Sequence, residues 1–258
     1  MSRFSFSPAV CGVLLAALLG PAASAVRAAT PAAAEHVSTK YTVDLPPSAD
    51  LHYTIKARQK GFSINGDATI SWRKGDTRYT LTSDTRASLF GKILENRSRG
   101  QVDGFGIAPL EFFEKRIRKD PWTTTFHRDS KTITFTESKL SYPIKGGEQD
   151  RSTAPWQLLA IARANPDKFI PGSEWSMFVA GRRDAEQWTF KVVRPETIRT
   201  GLGQLETIHL TKIPPTDSKD QDVDIWLAPA RDWLPVRLRF TDADDEFVEQ
   251  TIDSITRK

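Results

Sequence analysis

From Tyr41 onward the apolar residues recur at every second position, and this alternation constrains the fold more than any other feature. Leu51, Tyr53, Ile55 and Ala57 alternate with His52, Thr54, Lys56 and Arg58. Phe62, Ile64, Ala68, Ile70 and Trp72 share one face of the next run, Arg73 to Asp76 form a turn, and Tyr79 and Leu81 begin the return. Successive side chains of a strand point to opposite faces, so the pattern describes strands with one dry and one wet face. An antiparallel meander accommodates such strands, because one face of the sheet can meet water. Further strands are expected at Trp122–Phe126 and Thr132–Thr136, which form a hairpin, and at Trp175–Val179, Glu186–Val193 and Leu205–Lys212. Val223–Leu227, Leu234–Thr241 and Phe247–Ile255 complete about a dozen strands.

One segment departs from this rule. Asp150 to Asn165 has helical composition, with Ser152 or Thr153 as cap, Pro155 in the first turn and Pro166 as the stop. Trp156 and Leu159, with Ala160 and Ala164, form an apolar stripe, and Arg163 lies near the C-terminal end, where positive charge is favourable. A lone amphipathic helix within a long meander implies a concave sheet that it plugs or covers. The expected fold is therefore mainly β: a large curved antiparallel sheet, or open half-barrel, with one covering helix. Phe62, Ile64, Ile70, Trp72, Trp122, Phe126, Trp156 and Leu159 are the candidate ligand-lining residues of the concave side. Large rings bury much area, so core filling is the competing role for the tryptophans among them.

The first residues have the composition of an export signal. Arg3 precedes a mostly apolar stretch from Phe4 to Leu19, too short for a comfortable membrane span, and Ala23-Ser24-Ala25 is a small-x-small cleavage site. The expected organisation is a signal peptide over 1–25, a flexible Ala/Thr/Pro-rich tether over 26–38 and a single antiparallel β domain over 39–258. Cleavage removes Cys11, the only cysteine, so stability must come from packing rather than disulfides. It leaves no transmembrane segment, and the expected address is the periplasm. The formal charge of +4 falls to +3 with the loss of Arg3, far from a nucleic-acid-binding composition.

Few residues suggest chemistry. The histidines, His36, His52, His127 and His209, have no metal-ligand spacing, and no nucleophile elbow, phosphate loop or dinucleotide fingerprint is present. No catalytic residue, metal or cofactor is assigned. Asp222 and Asp224 share a strand face and could serve a glycan hydrolase, but Val223 and Ile225 take the dry side. Arg97, Arg99, Lys115, Arg116, Arg118 and Lys119 form the main basic cluster. Either it is a solvated face, or it binds anionic headgroups or acidic glycan.

Several motifs together carry a resemblance. Leu45-Pro-Pro47, Gly106-Ile-Ala-Pro-Leu110, Gln149-Asp-Arg-Ser152, Arg183 to Phe190, and Ile225-Trp-Leu-Ala-Pro229 followed by Trp233 to Phe240 resemble, in order, the bacterial domain of unknown function 3108 family. The resemblance runs from about Leu45 to Ile252 and implies an envelope-associated protein. The strand, turn, Leu234-Pro-Val236, strand device is more distantly similar to periplasmic lipoprotein carriers of the LolA/LolB type. That similarity implies an open curved sheet around an acyl-chain cavity. The expected function is a non-enzymatic periplasmic protein that binds or chaperones an apolar or amphipathic envelope component, such as lipid or lipoprotein. The alternative is a structural or adaptor module that binds another envelope protein through a strand edge.

Overall fold

The alternating runs build fifteen strands among the residues that the computed structural model describes, which are 36–59, 61–214, 222–242, 244 and 246–258. The expected export signal and residues 26–35 of the expected tether lie outside the described residues. The first eight strands are β1 (Ala49–Gln59), β2 (Phe62–Lys74), β3 (Arg78–Ala87), β4 (Gly91–Asp103), β5 (Gly106–Arg116), β6 (Trp122–His127), β7 (Thr132–Phe135) and β8 (Ser138–Pro143). A two-residue strand, β9 (Gln149–Asp150), leads into helix α1 (Ala154–Ala164). Then follow β10 (Glu174–Ala180), β11 (Ala185–Thr200), β12 (Gly203–Ile213), β13 (Asp222–Ala228), β14 (Leu234–Thr241) and β15 (Phe247–Arg257).

All fifteen strands lie in one sheet, in the order β8-β7-β6-β5-β4-β3-β2-β1-β15-β14-β13-β12-β11-β10-β9. Two meanders thus meet at a central seam where β1 pairs with β15, Leu51 opposite Ile255 and Ile55 opposite Gln250. Every pairing is antiparallel except β9 with β10, which is parallel. The outer strands β8 and β9 are joined by residues 144–148 alone. Flat, fifteen strands would span roughly 65 Å at about 4.8 Å per step. A short linker at about 3.5 Å per residue reaches about 20 Å. The sheet therefore curls until its two edges approach.

Side chains rather than a ladder hold that approach. Phe126, Ile133, Phe135 and Tyr142 of β6–β8 pack with Phe178, Ala180 and Ala185 of β10 and β11 in a second apolar core. The buried Thr124 hydroxyl donates to the Gly181 carbonyl at 2.7 Å, and Glu137 pairs with Arg182 and Arg183. The sheet remains open, in agreement with the expected curved sheet or half-barrel. The chain before β1 is docked on the same region: the His36 ring stacks 3.8 Å from Phe178 and bonds the Glu148 carboxylate at 3.0 Å. The Ser38 hydroxyl donates to Gly146 at 2.9 Å. Residues 36–38, assigned to the tether by composition, are held there because His36 has a carboxylate and an aromatic face to meet.

Helix α1 is buried more completely than a cover would be. Ala154 and every residue from Trp156 to Ala162 are buried, the condition of a helix enclosed on all sides. Trp156 stacks on Trp72 of β2 at 4.8 Å. The Gln157 amide accepts from Ile107 of β5 and donates to the Phe105 carbonyl. Arg163, in the last turn, pairs with Asp44 and Asp232. The helix thus plugs one end of the trough. Its N-terminus is capped from further upstream than expected. Thr153 occupies the cap position without a side-chain cap bond, whereas the Asp150 carboxylate accepts the Ser152 and Thr153 N–H groups at 2.8 and 2.9 Å. Ser98 donates to the other Asp150 oxygen at 2.5 Å and itself accepts from the Tyr79 hydroxyl. Burial pushes the Asp150 carboxyl up to about 6 despite these donors.

Candidate ligand-binding site

The interior of the curl is full at one end and open at the other. At the helix end, Trp72, Tyr53, Leu158, Leu159 and Ile161 are almost wholly inaccessible, and the Tyr53 hydroxyl is anchored on the Pro235 carbonyl at 2.6 Å. Burying each such side chain contributes about 1.5–3 kcal/mol, so this end is the stabilising core. At the opposite end the same inward rows run out into a cavity of about 760 Å³. Its wall includes Ile64 of β2, Thr85 and Ala87 of β3, Leu94 of β4, and, from across the seam, Phe240 and Val248 of β14 and β15. Residues from β5 to β14 can line one cavity only because seven adjacent strands wrap around it. The size lies within the range of ligand pockets.

Behind this mouth lies a smaller chamber of about 240 Å³, which shares Asn96 and Phe240 with it and reaches Arg151 and Pro155 at the helix entry. Its floor is charged. Buried Glu114 accepts from Arg116 Nε at 2.6 Å, and buried Lys212 donates to Glu186 at 3.2 Å while lying 4.6 Å over the Trp188 ring. Desolvated charges of this kind are held by partners and resist apolar contact. The outer chamber is thus mainly apolar, and the inner one is bounded by paired charges.

The structure distributes the expected lining residues unevenly. Ile64 lines the mouth, Ile70 is half-buried against the main core, and Phe62 extends past it, 73% exposed. Trp72, Trp156 and Leu159 fill the helix end, and Trp122 and Phe126 are buried near the side-chain seam, so these five pack rather than line a void. Trp72, Trp122 and Phe126 lie on the inward face of the sheet, as expected, but on stretches where the helix or the seam already occupies the space. The lining residues that sequence reasoning missed, among them Ala87, Leu94, Phe240 and Val248, stand at the ends of inward rows. Their signal was the alternation itself, followed to the hairpin tips.

The basic cluster also divides. Arg97 and Arg99 project from the side of β4 opposite to Asn96 and Ser98; Arg97 pairs with Glu95, and Arg99 forks onto Glu111 at 2.9 and 3.1 Å. Glu111 raises the Arg99 guanidinium further above its usual range. Arg116, Arg118 and Lys119 border the mouth, and Lys115 points away from it on β5. Among the described residues Lys115, Arg118 and Lys119 have no anionic partner.

Other candidate chemistry is taken up in structural contacts. Asp224 accepts from His209 Nε2 at 2.8 Å, and that ring stacks on Trp226 at 4.4 Å on the outer face. Among the described residues no three or more His, Cys, Asp or Glu side chains gather in a metal-holding arrangement. No helix among them is long and apolar enough to cross a membrane.

A family model described as a protein of unknown function, DUF3108, matches residues 50–252. No curated protein matches the sequence. Solved structures similar to the chain include a protein from Bacteroides fragilis described as exported, with a YmcC-like fold: 9% identity, 85% of this chain and 100% of that chain, TM-score 0.37. A protein from Parabacteroides distasonis described as a lipoprotein has 11% identity over 85% of this chain and 100% of its own, with a TM-score of 0.33. An outer membrane lipoprotein-sorting protein domain from Vibrio parahaemolyticus has 9% identity over 82% of this chain and 86% of its own, with a TM-score of 0.29.

Proposed function

Because the chain belongs to the DUF3108 family, whose match takes in both the plugged end and the mouth, we propose that its trough holds the apolar part of a cell-envelope molecule. The reading is of a non-enzymatic, periplasmic binding protein that sequesters or chaperones a lipid, a lipoprotein or a similar amphipathic component. One observation carries it: an apolar-walled cavity of about 760 Å³, open to solvent, in a trough whose other end is fully packed. A void of this size in a structural module would forfeit dispersion contacts that packing would otherwise provide. An adaptor needs no such opening, and the cavity favours the holder over the adaptor.

The test is direct. Protein recovered from export in a bacterial host is extracted into organic solvent and analysed by mass spectrometry, and delipidated protein is titrated with a fluorescent fatty acid. Co-purifying acyl lipid and saturable uptake are expected. Ala87→Trp, which places a ring in the mouth, should abolish uptake while the protein remains folded. Empty protein with no probe uptake, or uptake indifferent to Ala87→Trp, would overturn the reading.

A further inference from the structure

The hairpin tips around the mouth carry a second feature that the cavity does not explain. Phe62 begins β2, Leu89 and Phe90 form the β3–β4 turn, and Ile117 follows β5; register puts all of them at the same end of the sheet. They are 73%, 89%, 62% and 43% exposed. Isolated exposed apolar side chains need no explanation, but several on neighbouring tips at one end form a patch. The same lip carries Arg118 and Lys119, cations with no anionic partner among the described residues. Arg118 adopts a φ of 56°, costly for a residue with a Cβ, in the turn that separates Ile117 from Lys119. The facing lip, the β14–β15 turn, is acidic, with Asp242, Asp244 and Glu246. The end is therefore polarised: apolar tips interleaved with cations on the β1–β5 side, acid across the opening.

We propose that the β1–β5 lip docks on an anionic lipid surface. Phe62, Leu89 and Ile117 enter the boundary between headgroups and acyl chains, while Arg118 and Lys119 meet phosphates. Apolar insertion beside cations is the combination that binds an anionic interface, and the acidic lip sets the tilt by staying away from it. Docked in this way, the mouth opens toward the bilayer. This goes beyond the ligand reading, since docking requires only the tips and not an occupied trough.

Vesicle co-sedimentation at low and high ionic strength tests it, with phosphatidylglycerol-containing and pure phosphatidylcholine vesicles. The wild type should bind the anionic vesicles and release with salt. Phe62→Ser/Leu89→Ser, at two residues that do not line the cavity, should bind about tenfold or more weakly. Arg118→Ala/Lys119→Ala should lose roughly fivefold per charge. Fatty-acid uptake without vesicles should survive Phe62→Ser/Leu89→Ser, which separates docking from ligand holding. Wild-type protein that ignores anionic vesicles, that binds phosphatidylcholine equally, or whose Phe62→Ser/Leu89→Ser variant binds unchanged would overturn the proposal. So would a dimer in sedimentation velocity that Phe62→Ser/Leu89→Ser dissolves, since the tips would then cover a second copy of the chain.

Discussion

The plugged end and the mouth of the trough are built from the same strands, yet one is core and the other a surface. On β2 the inward row begins with Trp72, wholly buried, and ends with Phe62, almost free. On β1 the same face passes from Leu51 to Gln59, which borders the cavity. Strand alternation decides which side chains turn inward. Whether the inside is filled depends on what else enters it, and here that is one helix, confined to one end.

The largest test of this contrast is a pair of truncations. Trp156→Ala should cost about 3–5 kcal/mol in denaturant unfolding, because its ring is stacked between the helix and Trp72 with no water to replace it. Ile64→Ala, at the mouth, should cost less than about 1 kcal/mol, since its half-buried side chain already faces solvent-accessible space. Equal costs would mean that the two ends are equally packed and that the contrast is false.

Next in size is a pH effect confined to the helix end. Burial raises the Asp150 carboxyl from 3.8 to about 6, so the folded chain holds this proton more tightly than the unfolded chain does. The stability it contributes is full below about pH 4 and is lost as pH rises through about 6, on the order of 3 kcal/mol at the limit. Asp150→Asn can keep the donors from Ser152 and Thr153 and should flatten this part of the stability–pH curve, measured by urea unfolding between pH 4 and 7.5. A curve that falls as steeply without the carboxyl would remove Asp150 as the cause.

Gly106→Ala probes the plug from the sheet side. Gly106 has a φ of +104°, and an added Cβ would lie 2.6 Å from the Gln157 amide oxygen. Strain and a displaced Gln157 should cost about 1–3 kcal/mol in unfolding. A stability effect as small as that of Ile64→Ala is expected for Ala87→Trp, less than about 1 kcal/mol, because the ring enters vacant space rather than a packed core.

Much of the sheet was legible. The expected Leu234–Thr241 strand has the observed bounds of β14, and the Trp122–His127 and Thr132–Phe135 hairpin lies where period two put it. β4, β5, β8 and the two-residue β9 were not among the expected strands. The inward row of β4 passes through Asn96, Ser98 and Gly100, β5 runs apolar residues together around Pro109, Ser138–Pro143 alternates weakly and two residues show no period. β11 runs on through Pro195 to Thr200, because a register shift between Val192 and Arg194 accommodates the break in the ladder. Pro235 is treated likewise, opposite Leu227 just past the shift at Trp226. Family membership, too, could be read from motif order. The site was harder. Choosing the large aromatic residues selected core, because ring size rewards burial, whereas the cavity is bounded by smaller residues such as Thr85 and Ala87 at row ends. The run Lys115–Lys119 looked like one patch. Strand alternation sends Lys115 and Arg116 to opposite faces, and Glu95 and Glu111 engage Arg97 and Arg99.

The pairing of β1 with β15 has a consequence for how the molecule is made. These two strands sit side by side at the middle of the sheet, yet almost the whole domain is synthesised between them. Until the last strand arrives, the nascent polypeptide bears two bare borders, on β1 and β14, each a template for pairing with a neighbouring chain. Such distant zippering is slow. A holding factor that occupies those borders would protect the chain until β15 closes the seam.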